Sequence, residues 1–186
     1  MKWIAKNAVL VVATAFFMLN STAQTSVLAP GVSALLPAAT LVGQAKMRFL
    51  GFEIYEAKLW VSPGFVSTRY AETSFALELV YLRDFKGIDI ARRSMTEMQR
   101  QGLMPKEVQT RWEAQMRALF PDVKDGDRIT GVNQPGVGAT FWHNGKPLGD
   151  IRDTAFARQF FGIWLSEQTS ERHLRQALLA EVNGTP

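Results

Sequence analysis

The run from Gly43 to Val61, GQAKMRFLGFEIYEAKLWV, constrains the fold more than any other stretch. Aromatic and aliphatic residues crowd both sides of Leu50-Gly51, which predicts a strand, a tight bend and a returning strand. Strands joined by so short a bend are antiparallel neighbours in one sheet. In the second strand Glu53, Tyr55, Ala57, Leu59 and Val61 share one face, and Phe52, Ile54, Glu56, Lys58 and Trp60 share the other. Neither face is purely polar, so both are expected to be partly covered. Arg48 stands in the first strand beside Met47, Phe49 and Leu50. A cation there either reaches solvent along the sheet face or meets a polar partner at the edge of a ligand cleft.

The rest of the chain repeats the strand signal and adds helices. Ser62-Pro63-Gly64 breaks the hairpin, and Phe75, Leu77, Leu79 and Tyr81 alternate through a half-buried strand over Ser74 to Leu82. Ile88 to Gln101 reads as a helix with Gly102 as its stop. Pro105 then opens another at its first turn, whose inner stripe is Val108, Trp112, Met116 and Leu119. Strands follow over Arg128–Asn133, Ala139–His143 and Lys146–Ile151, the last two joined by Asn144-Gly145, a type I′ hairpin signal. Asp153 caps a helix over Ala155 to Leu165 with an aromatic side of Phe156, Phe160, Ile163 and Trp164. Ser170 caps a last helix facing inward through Leu174, Leu178 and Val182. This order predicts an α+β domain: an antiparallel sheet with its helices gathered on one face.

The N-terminus is read separately. Lys2 and Lys6 precede an apolar run over Asn7 to Leu19, and Ser21-Thr22-Ala23 offers a cleavage site, the pattern of a secretory signal peptide over residues 1–23. A lead-in with no reliable structure follows over 24–38, and the domain occupies 39–186. The run is too short for a comfortable membrane span, and no other segment is long and apolar enough, so no stable span remains after cleavage. Removing 23 of 186 residues leaves 163, enough for one domain with its own core. The removed segment holds two lysines and no acid, so the formal charge falls from +4 to +2. A small net charge and no dense Lys/Arg run argue against nucleic acid as a partner. The chain has no cysteine, which removes disulfides, thiolate metal sites and cysteine nucleophiles together. The expected location is the periplasm.

The chemistry narrows by exclusion. His143 and His173 are the only histidines, and nothing pairs them at metal-ligand spacing. Asp122, Asp125 and Asp127 lack the calcium-loop pattern and read as turn formers. Gly136-Val137-Gly138 lies between strands and opens no helix, so it is no dinucleotide loop. No nucleophile elbow is present. No metal and no cofactor is expected. What remains is a cleft between sheet and helices, rich in Phe, Trp and Met, suited to a small apolar or carboxylate-bearing ligand. Arg48 is expected to hold the polar head. Lys86 and Arg93, near the start of the helix after the third strand, either add to that handle or are solvated helix charges.

Three segments resemble the bacterial chalcone isomerase-like proteins: Gly43-Gln44-Ala45-Lys46-Met47-Arg48, the strand end Ala57-Lys58-Leu59-Trp60, and Phe156-Ala157-Arg158-Gln159-Phe160-Phe161-Gly162-Ile163-Trp164-Leu165, with Leu174-Arg175-Gln176-Ala177-Leu178-Leu179 near the C-terminus. The resemblance runs from Leu41 to Val182. It implies an open-faced β-sandwich, a large antiparallel sheet backed by helices with the ligand cleft between. Plant members close a chalcone into a flavanone with a strand arginine, two threonines, a tyrosine and an asparagine; relatives without these are thought to bind fatty acids or other apolar ligands. Position by position, the arginine corresponds to Arg48. One threonine falls near Glu53 or Trp60, the tyrosine near Lys86, the asparagine near Arg93 and the second threonine near Ile163. Most of the catalytic set is therefore absent.

The resulting expectation is a periplasmic, non-catalytic binder of a small amphipathic molecule such as a fatty acid. Arg48, Tyr55, Lys86, Arg93, Phe160, Ile163 and Trp164 are its candidate ligand-binding residues, with Phe156 lining or backing the cleft. The alternatives are an isomerase (intramolecular lyase) using Arg48 on a chalcone-like or other substrate, and an envelope interaction protein with a closed cleft.

Overall fold

The structure, a computed structural model, describes residues 27–183. The expected signal segment therefore lies outside the described residues. Six strands form one antiparallel sheet in chain order: β1 (Thr40–Phe49), β2 (Phe52–Val61), β3 (Phe75–Tyr81), β4 (Arg128–Gln134), β5 (Gly138–His143) and β6 (Lys146–Ile151). A short helix α1 (Pro30–Ser33) precedes the sheet, and a 3₁₀ segment (Ser67–Glu72) links β2 to β3. Between β3 and β4 the chain inserts α2 (Gly87–Gln99) and α3 (Lys106–Leu119). After β6 come α4 (Thr154–Leu165), α5 (Arg172–Leu178) and α6 (Ala180–Asn183). The α+β open-faced sandwich expected from the sequence is the architecture observed.

Two hairpin tips share one backbone and differ in chemistry. Asn144 (φ 51°) and Gly145 (φ 78°) turn β5 into β6, as their sequence predicts. Leu50 (φ 49°) and Gly51 (φ 82°) turn β1 into β2. Asparagine tolerates left-handed backbone; a leucine there carries a cost of about 1–2 kcal/mol.

Period-two alternation sorts the sheet residues. Ala57, Leu59, Phe75, Leu77, Leu79, Ile129 and Phe141 belong to the core beneath the helices. Trp60, Ala76, Val132 and Trp142 form a second cluster with Leu28, Val32 and Leu36 from the segment before β1. That segment corrects the structureless lead-in expected over residues 24–38: within its described part, α1 and its flanks bury three aliphatic side chains. The apolar spacing of Leu28, Val32 and Leu36, four residues apart, is what seats it.

Helix α4 occupies the centre of the helical layer. Asp153 caps it as predicted, its Oδ1 accepting from the backbone N–H groups of Ala155 (2.9 Å) and Phe156 (3.0 Å). The other oxygen accepts from Trp112 Nε1 of α3 at 2.9 Å and from Arg111 at 3.2 Å. Glycines allow close approach where α5 crosses β1: a Cβ on Gly43 would lie 2.2 Å from the Leu178 carbonyl oxygen. Two expected caps differ. Pro105 precedes α3 as its N-cap instead of occupying the first turn. Glu171, with no side-chain cap, is the N-cap residue of α5, and the Ser170 hydroxyl donates to Glu97 instead.

Partial burial opposes charging of Asp153, but hydrogen bonds from Phe156, Trp112, Ala155 and Arg111 outweigh it and hold the carboxyl below its ordinary value of 3.8. Its stabilisation is complete above that value and fades as pH falls through the lower native one. Asp153→Ala removes a cap and strands the indole N–H of Trp112, a loss of about 2–4 kcal/mol. In thermal melts the variant unfolds about 5–15 °C lower near neutral pH. The gap narrows in strong acid, where wild type loses the same interaction; a gap independent of pH contradicts the charged cap.

Candidate functional site

Between the sheet and α2 and α4 lies a cavity of about 310 Å³. That is at the lower end of the usual range for small-molecule pockets, about 300–1,000 Å³. Its floor comes from the strands: Met47 and Phe49 of β1, Leu79 and Tyr81 of β3 and Ile129 of β4 by alternation, and the consecutive Ile54 and Tyr55 of β2, where a register shift leaves Ile54 unpaired with β1. Its roof comes from Ile90 of α2 and from Phe160, Ile163 and Trp164 of α4, with Phe85 and Phe120 closing the side. Asp89, Arg93, Ser94, Glu97, Ser170 and Glu171 make one polar end. Phe49, Asp89, Arg93 and Ser170 are all exposed as well as cavity-lining, so the mouth opens among them.

Five of the seven candidate residues meet in this cavity: Tyr55, Arg93, Phe160, Ile163 and Trp164. Tyr55 and Trp164 are joined directly, the indole Nε1 donating to the phenol oxygen at 3.0 Å. Phe156 backs the wall, stacked on Phe160 with ring centroids 5.4 Å apart.

Arg48 and Lys86 are the corrections. Arg48 does not line the cavity; its side chain is 66% exposed and donates to Glu53 Oε1 at 2.8 Å. With Met47 and Phe49 turned to the cavity, the residue between them faces away. Arg48 and Lys46 share Glu53 and hold its carboxyl below the ordinary range. Lys86 is 70% exposed and donates to Asp122 at 2.7 Å, where Asp122 also accepts from the Gly87 amide; together they pin the start of α2. Phe85, its neighbour, reaches the cavity instead. Of the positions where the resembled enzymes carry catalytic groups, only those now held by Arg93 and Ile163 line the cavity. Glu53 sits in the Arg48 ion pair, and Trp60 packs in the second cluster on the other face of the sheet.

The residue missed from the sequence is Glu97. It is 92% buried by side chain, at the polar end, one helical turn after Arg93. Its Oε2 accepts from Ser170 at 2.8 Å and lies 3.6 Å from Arg100. Arg93 Nη2 stands 2.7 Å from Oε1, yet off the hydrogen-bonding line, so Oε1 has ionic compensation without a directed donor. The Arg93-x-x-x-Glu97 spacing was the available signal. Arg93 also lies over the Phe49 ring, 5.9 Å from its centroid.

An antiparallel sheet with helices over one face and an apolar cavity between them is the architecture of the chalcone isomerase-like fold. The chain belongs to the chalcone isomerase-like family, whose model matches residues 47–180. No curated protein matches the sequence. Among solved structures, that of a fatty-acid binding protein from Arabidopsis thaliana is similar in fold. Its TM-score is 0.59 at 11% sequence identity, covering 76% of this chain and 87% of that one.

Burial raises the phenols of Tyr55, Tyr70 and Tyr81 above their ordinary value of 10, and these are the three tyrosines of the chain. An ultraviolet titration of the native protein should therefore show no tyrosinate as pH passes 10. Stability falls above that pH, because the unfolded chain gives up protons that the native one keeps. Tyrosinate appearing near 10 before unfolding contradicts the buried placement.

Proposed function

We propose that this protein binds a small amphipathic molecule in the cavity between sheet and helices and performs no chemistry on it. The observation that carries the reading is the division of the cavity wall, apolar from the sheet and α4 and charged only from α2 and the Ser170-Glu171 link. That arrangement accepts a hydrocarbon or ringed body and orients a polar head at the mouth. A fatty acid fits the description, and the Arabidopsis protein of similar fold is a fatty-acid binding protein. The head meets Arg93, Glu97 and Ser170, not Arg48. A neutral donor fits the Arg93–Glu97 pair as it stands; a carboxylate is held when Arg93 exchanges Glu97 for it.

Catalysis of the resembled kind needs polar groups that hold a ketone and a water in reacting geometry. Here the tyrosine phenols are poor acids, and the charged residues of the wall lie at the polar end. The signal pattern of residues 1–23 supports an exported, periplasmic binder. N-terminal sequencing of the protein from an envelope fraction is expected to start at Gln24, and an intact Met1 overturns export by cleavage.

Native mass spectrometry after gentle purification, or after adding a long-chain fatty acid, tests binding itself. A retained or added lipid mass is expected, and a clean unliganded mass in both cases overturns the reading. Glu97→Gln frees Arg93 from its competitor and should tighten carboxylate binding several-fold, by about 1 kcal/mol. Arg93→Ala should weaken it, and Arg48→Ala should leave it unchanged. Loss of binding on Arg48→Ala alone returns the head group to the strand.

A further inference from the structure

The tip of the β1–β2 hairpin is apolar, exposed and built on an unfavourable backbone. Phe49 is 51% exposed, Leu50 82% and Phe52 58%. Leu50 gains nothing from the fold at either level. Its left-handed φ of 49° disfavours leucine, and its side chain lies in water. The β5–β6 tip of the same sheet, with φ of 51° at the matching position, carries asparagine. A residue that the turn and the solvent both disfavour is accounted for by something outside the chain.

Cations surround the tip. Arg83 lies over the Phe52 ring at 4.6 Å and Arg93 over the Phe49 ring at 5.9 Å. Lys46 and Arg48 flank it on β1 and share the single carboxylate of Glu53, which leaves one positive charge in excess. Asp84, beside Arg83, accepts from the Asp125 amide, and Glu97, which faces Arg93, is buried. The tip is also the lip of the cavity, since Phe49 and Arg93 belong to its wall.

We propose that the Phe49-Leu50-Gly51-Phe52 tip inserts into the headgroup boundary of an anionic lipid bilayer. Lys46, Arg48 and Arg83 face lipid phosphates, and the cavity mouth, with Arg93 at its lip, is held at the membrane surface. A convex turn presenting three large apolar side chains ringed by cations matches the acyl–headgroup boundary. A protein partner would have to supply a pocket for the tip and carboxylates for its arginines. The proposal rests on the cavity reading only for its purpose, delivery or capture of an amphipathic molecule; the docking itself stands without it.

The absence of cysteine allows one reporter to be placed at will. Leu50→Cys in the full chain, labelled with an environment-sensitive fluorophore, is mixed with vesicles of phosphatidylglycerol and phosphatidylcholine in equal parts. The same label at Leu103→Cys, on the exposed link between α2 and α3, is the control. A blue shift at position 50 and none at 103 is expected. It should weaken with salt and with phosphatidylcholine alone, and about tenfold more lipid should be needed when Phe52→Ser is added. No shift at 50, or equal shifts at both sites, overturns the proposal. So does a shift at 50 that grows with protein concentration without vesicles, which assigns the tip to a second copy. Thermal melts of Leu50→Asn separate role from stability: an unchanged or higher Tm is expected, and a lower Tm makes leucine a stability residue and removes the argument. Tip insertion with no lipid mass in native spectra would end the cavity reading and leave the docking intact.

Discussion

The packing of Phe160 is the interaction on which the domain depends. Its ring meets Phe120, Phe141, Phe156, Phe161 and Trp164 at centroid distances between 5.2 and 5.9 Å, mostly edge to face. Through those contacts it ties α4 to the sheet at Phe141 and to the end of α3 at Phe120. Aromatic pairs of this geometry contribute beyond their buried area, by about 0.5–1.5 kcal/mol each. The same ring is part of the cavity wall. Core and cavity are therefore one construction, and the cavity wall inherits its rigidity from the fold.

The supports of α4 follow from that placement. Asp153 both starts the helix and grips Trp112, so the direction of α4 is set relative to α3. Farther along, Gly162 leaves room for Gln101 and Tyr70: a Cβ there would meet the Gln101 Oε1 at 2.1 Å. Gln101 donates to the Gln159 carbonyl and Tyr70 to the Arg158 carbonyl, so α4 is held on its Gly162 side by two groups from outside the helix. A side chain in place of this glycine would have to displace the Gln101 and Tyr70 groups that make these bonds.

Much of this was legible in the sequence where periodicity and turn chemistry agree. The strands, the two hairpins, the Asp153 cap and the aromatic side of α4 are all local signals backed by burial. The site was legible in part, and its main error was avoidable. Alternation along Lys46-Met47-Arg48-Phe49 already opposes Arg48 to Met47 and Phe49, so a cavity walled by the apolar pair excludes the cation between them. Glu97 was missed for a different reason. On a helix an Arg–Glu pair at i, i+4 reads as a solvated face, and only the fold shows that α5's approach through Ser170 buries the carboxylate. The lead-in around α1 depended on tertiary packing as well, since its aliphatic residues find a surface only once four strands set Trp60, Ala76, Val132 and Trp142 on one face of the sheet.

Where charge stands in the cavity bears on what the cavity can do. An arginine stabilises a developing anion most when it is fixed in a dry, low-dielectric interior. Arg93 is half exposed, at the mouth, and already faces Glu97, so water and a counter-ion both weaken its field along the cavity. The apolar stretch from Ile54 to Phe160 carries no cation, and its phenols are those of Tyr55, which accepts from Trp164, and Tyr81. What the mouth retains is orientation: one end of a bound molecule can find hydrogen bonds and charge, and the other cannot. A cavity that would order a ligand by its head, without a charge placed along its body, supports the proposed binding role over that of a cyclase.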